Sequence, residues 1–230
     1  MNLTLDAMAY DLWLTIRSGR IVDDDDIDLR QIKFWIRNSR AVWIKNELSK
    51  NRSISQRFIQ DVNNGCVTLE RVDVSLCPLL SIGCTLLRTN IEIPNTIEKA
   101  GVPTLTRVGP TLANMATYYI VPYERIPWIG SGRFNKNFIF AFWKDNRVYL
   151  VSNGSSLNYS GMKKVNIRGV FVDPEVVPGY NSTRDYPITE ALWVYLKDII
   201  IKTDATTLLG TVGDIRNDST DSTKPEELPK

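Results

Sequence analysis

Catalysis near neutral pH draws most often on histidine, and this 230-residue chain has none. Its absence removes the usual general base, the commonest zinc ligand and the partner that activates Ser or Cys nucleophiles. The three cysteines, Cys66, Cys77 and Cys84, form C-x10-C-x6-C, an odd count with no close pair on a turn to start a zinc site. They lie in or beside apolar, strand-like stretches where structural thiols are common, and their number fits synthesis in a reducing compartment. The acidic run at 23–26 lacks the glycine and distal glutamate of a calcium loop, and reads as a solvated loop ahead of a helix N-terminus. Gly130-Ser131-Gly132-Arg133 has neither Walker spacing nor a following Lys-Ser/Thr, so a turn is expected there. No carboxylate pair is singled out for glycoside chemistry. No catalytic, cofactor-binding or metal-binding residue is therefore assigned, and binding to other macromolecules is the function to look for.

One charged pattern is sharper. Arg30, Lys33, Arg37 and Arg40 fall at i, i+3, i+7 and i+10, which on a helix projects them as one basic stripe flanking an apolar face. Such a stripe can meet an acidic protein surface or the phosphates of DNA; the plainer reading is a solvated border beside the core. Six tryptophans are also present, with Trp13, Trp35 and Trp43 in the helical N-terminal region. Most suit a core, and some suit interface anchors, where Trp and Arg are enriched.

The elements that position these residues follow from periodicity. Leu5, Met8, Ala9, Leu12 and Ile16 recur on one face of a first helix, ended by Ser18 and Gly19. Asp28, with Gln31 three residues on, resembles a capping box opening a second helix to about Leu48, with Leu29, Ile32, Trp35, Ile36, Val42 and Trp43 buried. After Asn63, Asn64 and Gly65 the texture becomes that of strands, at 66–74, 85–93, 104–108, 116–121, 138–143, 148–151 and 165–172. Asp145 and Asn146 suit a tight hairpin turn. Residues 174–187, rich in Pro, Gly and small polar residues, read as an exposed loop. A final helix then buries Ile188, Leu192, Tyr195, Leu196 and Ile199.

The expected fold is α+β: an N-terminal helical pair, a central antiparallel β-rich region, a C-terminal helix and a flexible tail. One domain over 1–203 is expected, followed by an extended or disordered tail at 204–230. Apolar residues are 43% and charged residues 23% of the chain, the balance of a globular protein. The net charge of +2 is too small to mark a dedicated nucleic-acid binder. Residues 217–230 hold four acids against two lysines, so a mildly acidic tail follows a mildly basic body. No run approaches the roughly 18 apolar residues of a membrane span, and the first residues lack a secretory pattern, so no membrane partner is expected.

Several segments, taken in order, resemble a family of virion structural proteins of the crAss-like tailed bacteriophages, of the kind that builds rings between portal and tail. They are DAMAYDLWLTIR (6–17), QIKFWIRNSRAVWIKNE (31–47), LERVDVSLCP (69–78), LLRTNIEIP (86–94) and YPITEALWVYLKDIIIK (186–202). The resemblance implies a subunit of an oligomeric ring in the head-to-tail connector, made in the host cytoplasm and carried in the virion. Its implied partners are copies of itself, the portal and other neck or tail proteins, with non-specific contact to packaged DNA left open. It implies no cofactor and no enzyme activity. The alternatives are a histidine-independent enzyme or enzyme subunit, and a small nucleic-acid-binding module using the basic stripe.

Overall fold

The computed structural model describes residues 3–16, 27–72, 86–112, 115–129, 138–152 and 161–205. The acidic run at 23–26, the turn at 130–133, Cys77, Cys84 and the tail from 206 lie outside these residues. The chain divides into two compact units, one of Met1–Thr4 with Arg40–Thr189 and the other of Leu5–Ser39 with Glu190–Lys230.

The second unit is helical. Helix α1 (Leu5–Ile16) buries Leu5, Met8, Ala9 and Leu12, as their spacing requires. Helix α3 (Glu190–Ile200) buries Leu192, Trp193, Leu196 and Ile200, and a wide π-type turn continues it over Ile201–Ala205. Tyr195, expected on the buried face of α3, is 53% exposed, and Trp193 takes that place instead. Lys197 reaches Asp11 at 2.8 Å, tying α3 to α1, and Lys33 pairs with Asp6, tying α2 to α1.

Helix α2 (Leu29–Ser49) begins directly after Asp28, whose carbonyl accepts from the N–H groups of Gln31 and Ile32 at 3.0 and 3.2 Å. Its first half, through Ser39, belongs to the helical unit and its second half to the other. The buried positions are Ile32, Trp35, Ile36, Arg40, Ile44 and Leu48. An i, i+4 row advances about 40° around a helix at each step, so the row Ile32, Ile36, Arg40, Ile44, Leu48 winds as it descends. Two expectations fail for that reason or for position. Val42 lies opposite the row in the second half and is 50% exposed, while Leu29, on the first turn, is 40% exposed.

The remaining unit is built on an eight-stranded sheet. Its strands are β1 (Gln60–Asp61), β2 (Val67–Val72), β3 (Leu86–Thr89), β6 (Leu105–Gly109), β7 (Tyr119–Ile120), β8 (Phe140–Lys144), β9 (Arg147–Val151) and β10 (Lys164–Gly169). Between β3 and β6, β4 (Glu98–Lys99) and β5 (Val102–Pro103) form a separate hairpin. The sheet order is β1-β10-β2-β3-β9-β8-β7, with β6 also on β10. All pairings are antiparallel except β7 with β8. The sheet curls until its ends meet, where the N–H of Tyr118 donates to the carbonyl of Val108 at 2.8 Å.

Strand alternation fills two layers. Val67, Leu69, Leu87, Ala141, Val148, Leu150, Val165 and Ile167 point into the curl, together with Val108 and Phe171. On the other face Leu86, Phe140, Phe142, Tyr149 and Val151 pack beneath Ile126 and Ile129 from the 3-10 turn at Tyr123–Trp128. Strands β8 and β9 are thus covered on both sides, which is why FAFW and VYLV read as continuous apolar runs. The turn between them has Asp145 at φ 50° and Asn146 at φ 55°, the two left-handed residues of a type I′ hairpin.

The segment 174–187 is exposed only in part. Asn181, Ser182, Thr183, Arg184 and Asp185 face solvent, but Pro174, Val177, Tyr186 and Pro187 are buried. The N–H of Tyr186 donates to the carbonyl of Leu3 at 2.8 Å. Composition marked the turns here and missed the apolar anchors between them.

Candidate assembly interface

The four residues of the expected basic stripe do not share one environment. Arg30 is exposed, Lys33 and Arg37 are half-buried, and Lys33 is engaged by Asp6. Arg40 is fully buried, so it is no part of a surface ridge. Its Nε donates to the carbonyl of Pro187 at 2.8 Å and one terminal nitrogen to the carbonyl of Phe171 at 3.0 Å. Its guanidinium lies 5.6 Å from the centre of the Tyr186 ring. Burial pulls the Arg40 pKa down from its ordinary value, while Tyr186, Asp173 and Tyr180 pull it back up, and a guanidinium remains a cation throughout. Arg40 therefore fastens the second half of α2 to the segment at 171–187. Its sequence signal was its place in the row of Ile32, Ile36, Ile44 and Leu48, which the count along the charged residues hid.

What the surface presents instead is aromatic. Around β7 and β8, Tyr119 is 55% exposed and Phe138 40% exposed, with ring centres 5.0 Å apart; Tyr119 also reaches Phe140 at 5.9 Å. On the 3-10 turn that covers Phe140, Ile126 and Ile129 point inward, which leaves Trp128 outward at 78% exposure. Arg125 on the same turn is exposed, next to Glu124, and Lys144 lies 4.8 Å from the centre of the Tyr123 ring. Isolated exposed apolar side chains are ordinary, but large aromatics grouped beside Arg have the composition of an interface core.

The helical unit has its own apolar strip. On α3, Glu190, Ala191, Val194, Tyr195 and Asp198 are exposed at i, i+1, i+4, i+5 and i+8, one continuous face. Val194 is 69% exposed at its centre, and the two acids bound it. Sequence reasoning missed both strips, because an apolar residue facing a partner has the same composition as one facing a core.

Cys66 is a half-buried free thiol. Among the described residues no group of three or more Cys, Asp or Glu side chains gathers in a way that could hold a metal ion, and no helix is long and apolar enough to cross a membrane. A β-rich unit and a helical unit, each with an apolar strip turned outward, define a protein that works by packing against other chains. The phage tail ring protein 2 family of crAss phages matches residues 7–223, and the chain belongs to that family. No curated protein matches it. It is a structural component of the phage tail in the virion, not an enzyme, and as a ring protein it is built from repeated copies of one chain.

Proposed function

We propose that this ring sits in the head-to-tail connector, between portal and tail, and that the chain acts there as an adaptor. The match to a tail ring family over 7–223 carries the reading, and the placement rests on the resemblance of segments 6–17, 31–47, 69–78, 86–94 and 186–202 to connector ring proteins. Arg30, the exposed member of the basic stripe, with the half-buried Lys33 and Arg37 beside it, then contributes to contact with an acidic neighbouring protein, and Arg40 contributes only to folding. Cryo-electron microscopy of the whole particle tests the position. The expected result is a closed ring of this chain at the junction of portal and tail; density only at the distal end of the tail would overturn it. An Arg30→Glu variant should melt as the wild type does and enter particles less often. Equal incorporation would return the stripe to a solvated face.

A further inference from the structure

A closed ring needs two different surfaces on each copy, because each subunit meets its neighbours head to tail. Among the described residues the sheet unit holds 16 basic against 10 acidic side chains, while the helical unit holds 5 against 6. The excess positive charge of the described residues therefore lies on the sheet unit. Each unit also turns large apolar side chains outward. The α3 strip has Val194 and Tyr195 at its centre and Glu190 and Asp198 at its ends. The sheet unit exposes Tyr119 and Phe138, ring centres 5.0 Å apart, and, on the 3-10 turn at Tyr123–Trp128, Trp128 and Arg125, with Lys144 over the Tyr123 ring.

We infer that the ring closes by docking the α3 strip of one copy onto the Tyr119–Phe138–Trp128 strip of the next. This rests on the ring reading above and assigns its contact. Apolar centres with charged rims match the anatomy of protein interfaces, in which aromatic anchors supply most of the affinity and charge sets register and encounter rate. Asp198 is partly satisfied by Lys202 at 2.7 Å, so Glu190 is the acid that most directly seeks Arg125 of the neighbour. The contact is not self-complementary: acid meets base and helix meets sheet, so copies add in one direction until the ring closes.

The test uses the full chain and four variants, with masses measured by native mass spectrometry over a range of concentrations and in the presence of other tail proteins. Arg125→Glu and Glu190→Arg alter exposed residues, so melting should stay at the wild-type value while association weakens by about tenfold or more. Combining the two substitutions in one chain should restore much of the assembly. Trp128→Asp and Val194→Asp each spoil one strip only. Separately they should stay monomeric, and mixed in equal amounts they should pair and stop at the dimer, because one intact contact remains. Rings formed normally by the single variants would overturn the docking and leave the ring reading standing. So would a charge reversal at Arg125 that lowers retention on DNA without changing assembly, since the sheet unit would then face nucleic acid. A wild-type chain that never multimerises under any of these conditions would overturn the ring reading and this contact with it.

Discussion

Arg40 shows how one side chain can be misplaced by its type and explained by its neighbours. Replacing it with methionine keeps the volume and removes the charge, but leaves the carbonyls of Phe171 and Pro187 without their donors. A buried acceptor left without a partner costs about 1–3 kcal/mol, part of it offset because no cation is then desolvated. Arg40→Met should therefore lower the urea midpoint by a net loss of about 1–2 kcal/mol, whereas Arg40→Glu, setting an acid against two carbonyls, should not fold. A second residue-level effect belongs to Tyr118, whose hydroxyl lies 3.0 Å from the sulfur of Met162. Burial raises its pKa above the ordinary value, so the folded state favours the neutral phenol. The stability this gives is present in full below the ordinary tyrosine value near 10 and is lost as pH rises through the raised folded value. Tyr118→Phe should lessen the alkaline loss of stability, read as the urea midpoint of both chains across that range.

At the scale of elements, the curled sheet depends on how the chain passes from β1 to β2, both of which pair with β10. Asn63, Asn64 and Gly65 do this in three successive left-handed residues, at φ 49°, 54° and 79°. Asn and Gly are the residues that tolerate this region best. The carbonyl of Pro178 accepts from the Asn63 N–H at 2.6 Å, which holds the passage against the loop at 174–187. A Cβ on Gly65 would stand 2.5 Å from the side-chain nitrogen of Asn166. Gly65→Ala adds both that collision and a left-handed strain of about 1–2 kcal/mol, so it should lower the melting temperature measurably. An unchanged melting curve would mean that the passage can relax without cost.

For the molecule as a whole, the proposed pairing of Glu190 with Arg125 of the next copy makes assembly sensitive to salt. Exposed charges are screened over roughly 10 Å at 0.1 M salt and roughly 3 Å at 1 M. Raising ionic strength should slow and weaken multimerisation of the wild type, and should affect Arg125→Glu or Glu190→Arg much less, because each has already lost the attractive pair. Sedimentation at several salt concentrations reads this directly. Salt independence would place the affinity in the aromatic centres alone.

The sequence by itself determined the elements. Alternation located the strands of the sheet other than the two-residue β1, and the 3.6-residue period located α1, α2 and α3, because local hydrogen bonding and one-sided burial leave their mark on neighbouring residues. Asp145 and Asn146 announced their hairpin for the same reason: left-handed backbone selects residue types on the spot. The lack of histidine, the cysteine spacing and the resemblance to ring proteins pointed away from catalysis before any fold was known. Tertiary structure alone decided that Arg40 is buried between two carbonyls while Arg30 is exposed, that Tyr195 and Trp128 face outward, and that the ends of the sheet meet at Tyr118 and Val108. Each of these depends on a partner far along the chain: Arg40 meets Pro187 across 147 positions. Periodicity records which face of an element is apolar, but not whether a core or another chain covers it.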